Sequence, residues 1–201
     1  MNLTNYYWYF KSAIPERICD DIVKYGHQMQ DQMAVTGGYG DVKKLNSKQT
    51  KDLKKKRNSD IVWMNDRWVY KEIQPYVHQA NASAGWNFNW DYSESCQFTK
   101  YVGSKKQHYD WHTDSGPRKN ENGKIRKLSM TVALVDGSEY EGGDFEVNLN
   151  EPKQEAVHVI KPARLKGSVT IFPSFVWHRV TPVTSGTRYS LVNWHQGWPH
   201  T

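Results

Sequence analysis

The sequence predicts a mainly β protein with its helices gathered near the N-terminus, and three observations carry that prediction. From Trp86 onward, short alternating runs recur every eight to twelve residues, separated by turn residues such as Val102-Gly103-Ser104, Asn122-Gly123, Gly142-Gly143 and Ser185-Gly186. Aromatics are abundant, with nine Trp, twelve Tyr and six Phe, while hydrophobic residues make up an ordinary 37%. Helical periodicity occurs only before residue 85. Together these describe an all-β sandwich or barrel preceded by two helices. A chain of 201 residues is long enough to bury one sizeable core, so a single domain is expected.

The elements follow in order. Asn5-Tyr6-Tyr7-Trp8-Tyr9-Phe10 is strand-like. Ser12 is placed to cap a helix with Pro15 in its first turn, and Ile14, Ile18, Ile22 and Tyr25 recur at helical spacing to about residue 34. Gly37-Gly38-Tyr39-Gly40 ends it. A lysine-rich stretch without periodicity then reads as a long mobile loop. Ser59–Met64 is a short strand. Asn65-Asp66 caps a second helix over 67–83, which Pro75 is expected to kink or restart. The later strands are predicted at 86–90, 95–102, 107–112, 126–135, 144–149, 156–160, 167–172, 176–181 and 187–195.

The formal net charge is +6, and the sequence pI is near 9.1. Residues 41–57 hold eight Lys and Arg against Asp41 and Asp52, so this one segment carries the whole excess. A run of this kind usually forms a solvated face; binding to a nucleic-acid backbone is the functional alternative. Cys19 and Cys96 are far apart and in no metal or redox spacing. No apolar run approaches a membrane span, and the N-terminus lacks a signal-peptide pattern. No membrane partner and a cytoplasmic location are therefore expected.

The residues that point to chemistry are His112-Thr113-Asp114 and a distant His178. In an extended segment, His112 and Asp114 project to the same side. His178 lies in an alternating strand and can join them from another part of the fold. Two imidazoles and one carboxylate on one face of a metal leave the opposite positions open, the arrangement of non-haem Fe(II) oxygenases. A structural zinc site would be closed by four protein ligands, commonly with Cys. Arg188, ten residues beyond His178, has no acidic residue in its own strand, so its buried guanidinium calls for a bound dicarboxylate. His108-Tyr109-Asp110 is a second His-x-Asp pair four residues upstream, and the assignment between the two pairs stays open at this point.

Residues 97–194 resemble the Fe(II)/2-oxoglutarate-dependent oxygenases, in their prolyl-4-hydroxylase-like branch. The resemblance is carried, in order, by Gln97…Tyr101, Tyr109-x-x-His112-x-Asp114, Arg126-x-Leu128-Ser129, Tyr140-Glu141-Gly142-Gly143-Asp144-Phe145, Phe172-Pro173-Ser174, His178-x-Val180-x-Pro182-Val183-x-x-Gly186-x-Arg188 and Trp194. It implies a double-stranded β-helix (jelly-roll, cupin-like) core over 86–196, with 1–85 as helical support and 36–57 as a lid loop. Fe(II) would be held by His112, Asp114 and His178, and these would also be the catalytic set. The far carboxylate of 2-oxoglutarate would be held by Arg188 with Tyr101, Ser190 and Thr131, while Tyr109 and Trp194 would face the substrate. O2 completes the chemistry, with ascorbate as the expected stimulant. The implied reaction is hydroxylation of a C–H bond, a prolyl one in a peptide or protein, with release of succinate and CO2. Met130-Thr131-Val132-Ala133-Leu134 departs from the family's Tyr-Tyr-Leu-Asn strand, which leaves substrate identity open. The alternatives are an oxygenase acting on nucleic acid through the basic loop 41–57 or on a small molecule, and a non-catalytic cupin-like binding module.

Overall fold

A computed structural model describes residues 2–29, 32–33, 45–116, 119–149 and 156–199. Among these the strands are β1 (Trp8–Phe10), β2 (Gln32–Met33), β3 (Arg57–Asn58), β4 (Asp60–Met64), β5 (Tyr92–Ser93), β6 (Cys96–Val102) and β7 (His108–His112). They continue with β8 (Ile125–Ala133), β9 (Tyr140–Gly142), β10 (Phe145–Asn148), β11 (Val157–Val159), β12 (Val169–Pro173), β13 (Trp177–Val180) and β14 (Val183–Gly197). The helices are α1 (Glu16–Gln28), α2 (Ser47–Lys56) and α3 (Arg67–Ser83). All strand pairings are antiparallel. The larger sheet runs β1-β12-β8-β14-β6-β4-β2, with β5 and β9 also on β14; the smaller runs β11-β10-β13-β7-β3. These two sheets form the expected double-stranded β-helix. Strands from before residue 85 extend both of them.

Each layer follows from the period of its side chains. Apolar residues of α1 (Ile18, Cys19, Ile22) and α3 (Val69, Ile73, Val77, Ala80) recur at helical spacing and cover one face of the larger sheet. That face supplies Phe98, Leu128, Val132, Ile171 and Leu191. Each fully buried large side chain here stabilises the fold by about 1.5–3 kcal/mol. Gly26 lets α1 approach: a Cβ at this position would stand 2.7 Å from the Phe98 ring. The opposite face of the larger sheet meets the smaller sheet across Tyr101, Phe145, Val147, Phe172, Val180 and Val183. β14 contributes to both interiors because its residues alternate. Tyr189 and Leu191 face the helices, while Arg188, Ser190, Val192 and Trp194 face the smaller sheet.

Several expectations are corrected. Residues 86–90 are not a strand: Gly85 and Asn87 have positive φ angles of 72° and 50°, which breaks the extended run. Trp86, Phe88 and Trp90 instead pack against the helix–sheet core, with the Trp86 indole donating to the Thr4 carbonyl. Ser12 does not cap α1; Pro15 occupies that position without a side-chain hydrogen bond, and α1 ends at Gln28 rather than near 34. α3 runs on through Pro75, whose ring sits on the exposed side. The lysine-rich stretch is not structureless over 47–56. It forms α2, closed by a capping box in which Asn46 and Gln49 exchange backbone–side-chain hydrogen bonds and anchored by the buried Leu53. The remainder of the expected lid, 36–44, lies outside the described residues.

Candidate metal centre and diacid pocket

Strand pairing builds the site. β13 lies beside β7 with His178 directly opposite His112, so the two imidazoles meet with ring centres 4.1 Å apart. Asp114 follows two residues after His112 and is fixed by its backbone: the N–H groups of Asp114 and Ser115 both donate to the Ser174 carbonyl, at 2.9 and 2.8 Å. Its carboxylate oxygens stand 3.7 Å from His112 Nε2 and 3.5 Å from His178 Nε2. One donor atom from each of the three lies within 4.8 Å of the others, and the group is largely buried. No other such cluster occurs among the described residues.

The imidazoles are oriented for ligation. His112 Nδ1 lies 2.7 Å from the Asp110 carbonyl and His178 Nδ1 lies 2.9 Å from that of Val176. A carbonyl only accepts, so each Nδ1 carries the proton and each Nε2 lone pair points to the shared centre. Burial, with His178 adding to it, lowers the His112 pKa well below its ordinary value despite the opposing pull of Asp114, so this ring stays neutral. Burial alone would raise Asp114, but His178, His112, Arg126 and the Ser129 hydroxyl outweigh it and hold the carboxyl at about 2. The donor set is therefore two imidazole nitrogens and one carboxylate, which suits Fe(II). Phe172 and Phe145 stand 4.6 and 5.8 Å from the His178 ring and wall it from water.

Behind this cluster the two sheets enclose a pocket reached by Arg188, Tyr101, Thr131, Ser190 and Trp194. The register explains the grouping: Arg188 lies opposite Tyr101, and Val192 lies between Gln97 and Thr131. Arg188 is 3% exposed, yet among the described residues its guanidinium has one hydrogen bond, to Ser190 Oγ at 3.2 Å, with the Tyr101 ring 5.4 Å away. Among the described residues no carboxylate pairs with it. A buried guanidinium left in that state is costly unless an anion arrives. The Trp194 indole N–H, also buried, has no partner among the described residues either. Gly143 makes room for the arginine: at φ 64°, a Cβ there would lie 2.8 Å from Val183 Cγ2 and 3.1 Å from Arg188 Cδ. The pocket thus offers a guanidinium without a carboxylate partner among the described residues, and hydroxyl donors, next to a three-residue donor set, as a diacid with a metal-binding end requires.

The other expected residues fall as follows. The Tyr109 ring stacks on His112 at 3.5 Å with planes 13° apart, and burial pushes its phenol up to about 12 against the opposing effect of Arg57. His108 and Asp110 do not join the cluster. The His108 ring nitrogens lie against the Lys106 and Lys55 carbonyls, and Asp110 is exposed with its carboxylate on the Trp111 N–H. Two arginines had no assigned role. Arg57 lines the pocket with its guanidinium 4.5 Å from the Tyr109 ring centre. Arg126 stacks 4.0 Å over Trp194 while its fork takes both Glu94 oxygens at 2.6 Å. Glu94 falls outside every motif, so nothing in the one-dimensional pattern marks this pair.

The profile of the 2OG-Fe(II) oxygenase superfamily matches residues 96–196, from the start of β6 almost to the end of β14. The chain belongs to that superfamily. Membership implies Fe(II) and 2-oxoglutarate for this oxygenase, and the histidine–aspartate cluster and Arg188 pocket fit both. A PKHD-type hydroxylase of Azoarcus sp. (strain BH72) is 40% identical over 102 residues, covering 49% of this oxygenase and 41% of that protein. The match thus spans about two fifths of the curated relative's length. Solved structures with the same fold include the viral collagen prolyl hydroxylase of Paramecium bursaria Chlorella virus-1, with a TM-score of 0.66, 19% identity and 96% of both chains covered. Another is a Trichoplax adhaerens prolyl hydroxylase in complex with a hypoxia inducible factor peptide fragment, with a TM-score of 0.63, 18% identity and coverage of 96% of this chain and 84% of that one. Among the described residues no helix is long and apolar enough to cross a membrane.

Proposed function

We propose that this oxygenase hydroxylates an unactivated C–H bond of a peptidyl side chain, a prolyl residue first among candidates, with 2-oxoglutarate converted to succinate and CO2. The observation that carries the reading is Arg188: a buried guanidinium with no carboxylate partner among the described residues, in the same pocket as His112, Asp114 and His178. In this reading the three side chains hold Fe(II) and are the catalytic set. Fe(II) with bound 2-oxoglutarate and O2 supplies the oxidising power.

The chain's own groups do the positioning. Arg188 binds the far carboxylate of the co-substrate in a charge-assisted pair, with Tyr101, Ser190 and Thr131 as hydroxyl partners. The Trp194 N–H, with no acceptor among the described residues, donates to the ligand that enters beside it. Asp110 and Val176 carbonyls keep the imidazole lone pairs directed inward, and the Phe145–Phe172 wall excludes water. Tyr109 and Trp194 border the side on which a substrate approaches. The Trichoplax adhaerens prolyl hydroxylase of the same fold is in complex with a peptide fragment, which supports a polypeptide as partner.

The test is succinate release with Fe(II), 2-oxoglutarate and ascorbate against prolyl peptides, with the product mass read for one added oxygen. His178→Ala is expected to abolish both iron binding and 2-oxoglutarate consumption. Turnover that survives this substitution contradicts the ligand assignment; turnover without peptide oxidation contradicts the substrate class.

A further inference from the structure

The lysine-rich stretch does more than extend into solvent. Once folded as α2, it turns Lys51, Lys54 and Lys55 along one side, and there it meets Lys105, Lys106 and His108 from the turn before β7. Two remote basic segments thus line one open groove. The groove is held in shape on both sides. His108 lies 2.9 Å from the Lys55 carbonyl and 3.1 Å from that of Lys106, fastening the last turn of α2 to β7. Lys106 sits in the left-handed region at φ 48°, and the Gln107 side chain locks the turn by accepting from Val102 N–H and donating to Asp60. A left-handed lysine beside a fixed turn marks a built feature rather than a frayed loop.

Its charge is not balanced. Five ammonium groups face two carboxylates, Asp52 and Asp60, each 3.9 Å from a lysine nitrogen. Lys51, Lys54 and Lys106 have no ion pair among the described residues. The groove also lies next to the active pocket. In the β3–β7 pairing, Arg57 faces Tyr109 and both line the metal pocket; the adjacent pair, Asn58 and His108, lines the groove. Successive residues of a strand point to opposite faces, so pocket and groove lie on the two sides of the smaller sheet at its edge strand. A polypeptide leaving the pocket mouth reaches the groove by passing round β3.

We propose that this groove is a secondary docking site for a carboxylate-rich segment of the polypeptide substrate, a short distance in sequence from the residue that is oxidised. The proposal rests on the reading of a polypeptide substrate. Ten residues of α2 span about 15 Å, the length of roughly four to five residues of extended chain. Nucleic acid fits less well. None of the residues lining the groove is a Trp, Tyr or Phe that would serve as a stacking platform, and none is an arginine that would fork onto phosphate.

Binding is tested directly by fluorescence anisotropy on the full chain, with labelled hexaglutamate, a glycine–serine peptide of equal length and a single-stranded oligothymidine. Hexaglutamate is expected to bind, the neutral peptide is not, and affinity should fall about tenfold or more as salt rises from roughly 50 to 300 mM. The triple substitution Lys51→Gln, Lys54→Gln, Lys105→Gln should weaken hexaglutamate about tenfold. Lys24→Gln with Lys71→Gln, on α1 and α3, should leave it unchanged. Absence of hexaglutamate binding, or binding indifferent to the triple substitution, overturns the proposal. Tighter binding of oligothymidine than of hexaglutamate overturns it in favour of a nucleic-acid partner. Because no turnover is measured, an inactive chain that still binds hexaglutamate through these lysines upholds the groove and counts only against the hydroxylase reading.

Discussion

The two faces of β14 run side by side along the same fifteen residues and obey opposite rules. Toward the helices, Leu191 is wholly buried among aliphatic and aromatic neighbours. Toward the smaller sheet, Arg188 is nearly as buried, but its charge is unanswered, and Trp194 carries an unused N–H. Apart from Asn193 Oδ1 and His195 Nε2, which have no partner among the described residues, the first face is closed by packing within the chain. The second holds a buried charge with no carboxylate beside it among the described residues, the contrast on which the proposed function rests.

Substitutions on the two faces should therefore fail in different assays. Leu191→Ala opens a cavity in the helix–sheet core and is expected to cost about 2–5 kcal/mol of stability, read by urea unfolding, with the 2-oxoglutarate KM of the surviving enzyme unchanged. Arg188→Met should do the reverse. Losing a charge-assisted pair is worth about 1.5–3 kcal/mol, so 2-oxoglutarate binding should weaken by roughly ten- to a hundredfold. Unfolding of the ligand-free protein should be unaffected or slightly harder, because an uncompensated buried charge has been replaced by a side chain of similar length. Equal loss of stability in both variants would erase the distinction.

A smaller effect sharpens it from the helix-facing side. His195 is fully buried on that face, with burial first and His78 second lowering its pKa to about 3. The unfolded chain takes up a proton near pH 6.5 that the folded chain refuses, so this group costs nothing above that pH. Below it, stability falls by about 1.4 kcal/mol per pH unit until the folded pKa is reached. Comparing urea midpoints at neutral pH and near pH 5, wild type should lose roughly 2 kcal/mol more than His195→Gln. An identical acid response in both would mean that the ring is hydrated.

The parts legible in the sequence share one property: their geometry is set within a few residues. His112 and Asp114 need only a strand to face the same way, and Arg188 only the alternation of β14. The parts not legible depend on contacts far along the chain. α2 has a single buried residue, Leu53, so it lacks an apolar stripe; its cap and the His108 clasp decide it instead. Trp86, Phe88 and Trp90 alternate like a strand, but the positive φ at Asn87 and packing on the helices take precedence. The pairing of Arg126 with Glu94 joins β8 to the segment before β6 across thirty-two positions, a separation no local spacing encodes.

β14 has one more consequence, for how such a chain can change length over generations. It pairs with β9 at one end and with β8, β6 and β5 beyond it, and register slips occur between Val183 and Ser185 and between His195 and Gln196. Adding or deleting one codon between the first slip and Arg188 would rotate every later side chain by half a turn, sending the arginine into the helix-facing core and Tyr189 toward the pocket of His112, Asp114 and His178. A change of length is thus tolerable only at the two irregular ends, and the stretch between them can vary in letter but not in count.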